Sequence, residues 1–251
     1  MDLLTPSNLA VAIPAVLFAG ISKAGFGSGA AFASASILAI MLDPGQALGI
    51  MLPLLMLIDM ASLPAYWKKW HWPDARILLL GAVPGTLLGA VFYRMADPDV
   101  IRFLIGLIGI AFVVWQMMQK AGLLQLAQRR FGDGTGLVAG GVLGFTSFVS
   151  HAGGPAAAVY LLGQRLPKTT YQATTVLVFW AVNLFKSAFY AFMGIFTLQT
   201  LTFDLVLAPV AILGTWLGVR AHALVPDRLY FGLTYVLLTV TSIKLIWDAL
   251  S

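Results

Sequence analysis

The chain of 251 residues contains no cysteine. Disulfides, thiol nucleophiles and thiolate metal sites are therefore excluded. Charge is scarce too: Asp, Glu, Lys and Arg make up 10% of the residues, against about 25% in a soluble domain. A chain so poor in charge cannot cover its own surface in water. Histidine occurs three times, at His71, His151 and His222. Two of these fall in loops between apolar runs, and no carboxylate lies near His151 in sequence. No metal-ligand spacing results, and no cofactor is implied. A nucleotide-binding glycine loop is also missing, which excludes ATP as the direct energy source. Residues 1–7 lack the basic region of a cleavable signal, so the first apolar run is expected to stay in the protein.

What the chain has is apolar length. Hydrophobic residues make up 60% of it, and the mean hydropathy is +0.91. Runs of about 20 apolar residues match the hydrocarbon thickness of a bilayer. The net charge is +5, but the bases sit in short loops and form no stripe. They set membrane topology and do not point to nucleic acid. Apolar blocks cover residues 8–22, 28–42, 46–67, 77–92 and 100–118, then 136–148, 155–162, 170–196, 205–219 and 229–247. The first two blocks are short for full spans, and a glycine-rich segment, 23–27, separates them. Alternating strands of a membrane barrel are not seen. The reading is an all-α polytopic membrane protein with the lipid bilayer as partner.

The two halves are related. Gln46-Ala47 returns as Gln172-Ala173, 126 residues later. Gly85-Thr86-Leu87-Leu88-Gly89 returns as Gly214-Thr215-Trp216-Leu217-Gly218, 129 residues later, and Pro98 returns as Pro226. The glycines at Gly25, Gly27 and Gly29 return as Gly153-Gly154-Pro155. Four matches in one order at nearly one shift argue for duplication. The expected organisation is a first repeat at 1–119, a cytoplasmic linker at 120–133 and a second repeat at 134–251. Each repeat carries a broken or re-entrant helix hairpin plus three long transmembrane helices.

Charge gives the orientation. The loop with Lys68, Lys69 and Arg76 is the most basic and belongs in the cytoplasm. Lys120, Arg129 and Arg130, then Arg165 and Lys168, then Arg220 and Arg228 belong on the same side. Residues 94–99 are near neutral and belong outside. With a hairpin and three spans per half, the second repeat is inverted, and both termini are periplasmic in a bacterial inner membrane.

Each half then holds a glycine-bounded break at membrane depth, where irregular backbone is tolerated only inside protein or a water-filled cavity. Helices starting near Ser28 and Pro155 would aim free N–H groups and a positive dipole end into the membrane. Two such ends make an anion site. The glycines Gly25, Gly27, Gly29, Gly153 and Gly154 let a ligand approach the backbone. Gly85, Gly89, Gly214 and Gly218 read instead as helix-packing residues.

Polar neighbours complete the candidate site. Lys23 and Ser28 lie at the first break; Ser147, Ser150 and His151 lie at the second. A charged residue in a bilayer is costly and tends to be functional, although Lys23 has the alternative of snorkelling to an interface. Asp59 and Lys186 occupy nearly equivalent positions in the third blocks. They are expected to pair across the pseudo-twofold axis, either as a structural ion pair or with Lys186 attracting the anion and Asp59 taking a coupling proton. Gln46 and Gln172 add neutral donors, with Thr174, Thr175 and Asn183 nearby.

At these residues the chain resembles the TauE/SafE family of sulfite exporters. The resemblance rests on Gly20-Ile21-Ser22-Lys23-Ala24-Gly25-Phe26-Gly27-Ser28-Gly29, on the Pro-Gly-Thr-Leu-Leu-Gly segment from Pro84, and on the second break at Gly153. It spans the whole chain. The sequence departs from the family pattern at Ser28 and Ala30, where further glycines are usual. The resemblance implies a transporter of sulfite, organosulfonates or related anions. The resulting expectation is a secondary transporter, an exporter of a small anion that binds at the midplane between the breaks and crosses by alternating access. An anion channel of the same architecture and a membrane-embedded enzyme are the alternatives.

Overall fold

The structure, a computed structural model, describes residues 3–26, 32–123, 131–221 and 227–251. The described residues form ten α-helices and no strand. They are α1 (Pro6–Phe26), α2 (Phe32–Met41), α3 (Pro44–Tyr66), α4 (Trp72–Met95) and α5 (Pro98–Lys120), followed by α6 (Asp133–Ser150), α7 (Gly154–Gly163), α8 (Lys168–Phe192), α9 (Leu198–Ala221) and α10 (Asp227–Leu250).

Local sequence explains the starts. Helices α3, α4, α5 and α7 each carry proline in the first turn, where the missing N–H has no partner to lose and φ is already helical. Interior prolines at Pro14, Pro53, Pro64, Pro84 and Pro209 are of the kind that membrane helices accommodate.

Among the described residues six helices, α1, α3, α4, α5, α8 and α9, are long and apolar enough to cross a membrane, while α2 and α7 are short apolar helices. At a rise of about 1.5 Å per residue, each ten-residue helix reaches about 15 Å, half of a hydrocarbon core. One expectation is corrected here. The first apolar block is not short: α1 is 21 residues long, because Ala24 and Gly25 continue the helix beyond the expected end at residue 22. Each hairpin is thus unequal, a long helix followed by a half-length one.

The bundle is inside out relative to a soluble protein. Leu80, Leu88, Leu205 and Trp247 are exposed on its outside, and Lys23, Asp59, Gln172, Asn183 and Lys186 are buried within. Helix α1 packs on α9, α4 on α6, α5 on α10 and α3 on α8. Glycine sets two of these contacts. A Cβ at Gly20 would stand 2.8 Å from the Gly214 and Thr215 backbone, and one at Gly85 would collide with the Gly141 carbonyl. Backbones that close require small residues, which is how helices associate without a hydrophobic driving force in lipid. The packing role expected for Gly85, Gly89, Gly214 and Gly218 is what the structure has.

Candidate functional site

The end of α1 is held by side chains from two other helices. The last four carbonyls of a helix lack intrahelical donors. Gln172 Nε2 donates to the Lys23 carbonyl at 2.9 Å, and Tyr66 Oη donates to that of Ala24 at 2.9 Å. Gln172, read from sequence as a ligand donor, is therefore engaged as the cap of α1.

Lys23 turns its amine to α3. Nζ donates to Asp59 Oδ2 at 2.5 Å and to the Leu55 carbonyl at 3.2 Å. Asn183 Nδ2 donates to the same Oδ2 at 3.1 Å, whereas Asp59 Oδ1 is buried without a hydrogen-bond partner. Both members of the pair are buried, at 3% and 1% exposure. Lys23 does not snorkel.

The expected Asp59–Lys186 pair does not form. Lys186 reaches instead to the end of α6, where Nζ donates to the Ser147 carbonyl at 2.8 Å, to Ser147 Oγ at 3.3 Å and to His151 Nδ1 at 2.8 Å. An ammonium has no lone pair, so Nδ1 is the acceptor. The ring hydrogen is then on Nε2, which faces the Leu48 carbonyl at 3.1 Å. His151 closes α6 with a left-handed backbone, φ 55°, a conformation uncommon outside glycine. Tyr190 Oη donates to the Phe148 carbonyl at 2.5 Å, and Ser150 Oγ is taken by the Thr146 carbonyl.

Helix α8 joins the two clusters. Gln172, Thr175, Phe179, Asn183, Lys186 and Tyr190 are all buried and recur at three- and four-residue spacing, so they share one face. Phe179 lies between the clusters: its ring centroid is 5.9 Å from Lys23 Nζ, and its edge would be 3.1 Å from a Cβ at Gly153. Gln172, Thr175, Asn183 and Lys186 stand out in the sequence as polar residues in an apolar run. Phe179 and Tyr190 do not, although the three- and four-residue spacing along α8 puts them on the same face.

The remaining expected residues divide. Gly153 packs against Ser147 and Phe179, and Gly154 opens α7. Gly25 faces α9, where a Cβ would meet the Gly218 carbonyl at 2.5 Å; its Cβ direction is helix packing. Gln46 is half-buried in the first turn of α3. Thr174 Oγ1 accepts from the His71 N–H and so fastens the loop between α3 and α4. Gly27, Ser28 and Gly29 lie outside the described residues.

The profile of the sulfite exporter TauE/SafE family matches residues 12–245. The chain belongs to that family. It is a multi-pass membrane transporter and not an enzyme, and a transporter of this family carries a small anion. No curated protein and no solved structure matched the chain.

On the outer flank of the α8 stripe, a groove of about 650 Å³ runs between α4 and α8, with Leu87, Tyr93, Arg94, Phe189 and Met193 in its lining. Behind it, Phe148 stacks edge-on against Tyr93, Phe189 and Tyr190. The Tyr190 ring centroid is 5.5 Å from Lys186 Nζ. An aromatic layer thus separates the groove from the buried amine.

Proposed function

We propose that the protein is a secondary transporter for sulfite or an organosulfonate, with Lys186 as the cation that recruits the anion. One observation carries this reading: Lys186 is fully buried and bonds only to neutral acceptors, Ser147 and His151. The buried pair Lys23–Asp59 neutralises itself. A protonated Lys186 therefore leaves the α8 face with one positive charge and no carboxylate in contact among the described residues. Buried charge without a partner is costly, and a small anion beside Lys186 relieves that cost. The start of α7 adds N–H donors close by, since Gly153 lies against Ser147.

Alternating access between two inverted repeats, 1–119 and 134–251 with linker 120–133, is the mechanism that fits. Two patterns support it. The α1–α9 contact has its counterpart in α6–α4, the same pair of helices exchanged between halves. Lys23 and Asp59, on α1 and α3, correspond at shifts of 128 and 127 to His151 and Lys186, on α6 and α8. Each half thus ties its own helix break to its own third helix by one polar pair. The glycine contacts join α1 to α9 and α4 to α6 across the repeats, so each moving unit would combine helices of both halves. Rocking one unit against the other would open the site to alternate sides. The basic loops support a cytoplasmic linker and periplasmic termini in an inner membrane.

The test is counterflow in proteoliposomes. Loading with unlabelled sulfite should drive transient accumulation of labelled sulfite, because a carrier exchanges substrate across one site. A flux that never overshoots equilibrium identifies a channel and overturns the carrier reading. Excess organosulfonate should compete; a carboxylate competing equally well would remove the sulfur-anion assignment.

A further inference from the structure

Asp204 stands on α9 and is 6% exposed, and both its carboxylate oxygens are buried with no hydrogen-bond partner. Among the described residues the other two buried acids differ: Asp59 has Lys23 and Asn183, and Asp74 has His71 and Tyr160. The setting of Asp204 is apolar. Phe203 and Leu207, on the same face of α9, lie in a core with Ala12 and Val16 of α1 and Ile50 and Leu54 of α3. Its neighbour Leu205 is exposed on the outside, so Asp204 is directed into the bundle and away from lipid.

The charged groups on the packed elements do not serve it. On α1 the titratable residue is Lys23, and α3 carries Asp59 and Tyr66; Lys23 and Asp59 bond to each other, and Tyr66 donates to the Ala24 carbonyl. Asp43, just before α3, lies 3.5 Å from Arg102. On α9 itself, Arg220 stacks on Trp216 at 3.7 Å. A metal cation would need about six or more oxygens. The nearest hydroxyl on the same face, one turn back at Thr200, is committed to Thr197. An isolated ionised carboxylate in such a place is far costlier than the neutral acid. The ligand that fits is a proton.

We propose that Asp204 is a proton-binding site of the transporter, protonated while buried and deprotonated to water when α9 moves with α1 in the transport cycle. The backbone contacts at Gly20–Gly214 and Gly25–Gly218 hold α1 against α9, so Asp204 moves with Lys23. Displacement of that pair relative to Lys186 on α8 then changes the anion site and exposes the carboxyl in one event. The coupling half of this proposal rests on the transport reading above; the proton-binding half does not.

Dicyclohexylcarbodiimide, an apolar reagent that adds to protonated carboxyl groups, tests the site in the reconstituted full-length protein. Mass spectrometry of the peptide carrying Asp204 should find the adduct, falling as pH rises. In proteoliposomes containing a pH dye, Asp204→Asn should keep sulfite counterflow and lose sulfite-linked proton movement by about tenfold or more. Sulfite's own proton equilibrium is the same for both proteins and cancels in the comparison. No adduct at Asp204, or proton movement at the wild-type rate in Asp204→Asn, overturns the proposal. If the wild type shows no counterflow, the transport reading fails, and the pH titration of the adduct alone upholds or overturns the proton site. Should Asp204→Asn not fold, reagent-treated wild type replaces it, and undiminished proton movement after complete labelling overturns the proposal.

Discussion

Lys186 donates to Nδ1 of His151 across 2.8 Å, and this bond fixes the ring hydrogen on the opposite nitrogen. His151 is thereby an acceptor toward α8 and a donor toward the Leu48 carbonyl of α3. Replacing it separates the two duties. His151→Phe keeps an aromatic ring, a somewhat larger one, but removes the acceptor from a buried amine, a loss of about 1–3 kcal/mol. His151→Gln keeps one acceptor and one donor. Thermal unfolding in detergent should rank wild type above His151→Gln and His151→Gln above His151→Phe. Equal midpoints for the two variants would mean that the hydrogen bonds contribute nothing beyond packing.

The Lys23–Asp59 pair predicts a different pattern. Removing one partner of a buried ion pair costs about 3–5 kcal/mol, since the other charge is stranded, whereas replacing both by apolar residues is often tolerated. Lys23→Met and Asp59→Leu should each lower the unfolding midpoint sharply. The double variant should recover most of the loss. Additive losses would show that the two residues are not energetically coupled.

The glycine contacts give a control that should act on folding. Gly85 has no room for a side chain against the Gly141 carbonyl, and Gly20 has none against Gly214. Gly85→Leu and Gly20→Leu should abolish monodisperse yield on size exclusion. Gly132, where a Cβ meets nothing within 4 Å, should accept alanine without loss. Normal yield from Gly85→Leu would mean that α4 and α6 are not packed backbone to backbone.

Much of this arrangement is legible in the sequence, and the parts that are not have identifiable causes. Ten apolar blocks correspond to the ten helices of the described residues because proline and glycine punctuate their ends. Lys23, Asp59, His151 and Lys186 are conspicuous as polar residues in apolar runs. Their pairing is not legible. Equivalence of Asp59 and Lys186 in the repeat suggests that they meet, yet each is tied to the broken helix of its own half, Asp59 by Lys23 and Lys186 by Ser147 and His151. These pairings depend on where the long lysine side chains reach in the folded bundle. Asp204 escapes notice because the apolar run starts one residue later, at Leu205. Only the fold, which starts α9 at Leu198, makes Asp204 a helix-interior residue.

Topology follows from the basic loops. An alkaline phosphatase fusion at Ser251 should be active and a green fluorescent protein fusion there dark, if both termini are periplasmic. A fusion within the linker 120–133 should behave in the opposite sense. The reversed pattern at either site would invert the orientation and place the basic loops outside.

Substitution of Lys186 separates an anion site from a merely structural lysine. Its amine already has three acceptors, so a structural role alone would make Lys186→Met lose hydrogen bonds and nothing else. An anion role adds a charge interaction that a helix end cannot replace, since a dipole end contributes about 0.3–1 kcal/mol when exposed and up to ~2 when partly buried. Lys186→Met should therefore weaken sulfite binding by at least tenfold, or about 1.4 kcal/mol. Lys186→Arg keeps the charge and should retain measurable binding, although its planar fork fits Ser147 and His151 differently. Ser187→Ala, one position along on the outer face of α8, controls for the effect of mutation as such. Affinity is read by sulfite-dependent shifts in unfolding temperature, after each variant has been shown monodisperse. If Lys186→Met binds sulfite as the wild type does, Lys186 is a structural residue. The positive charge for the anion must then come from Lys23 released from Asp59.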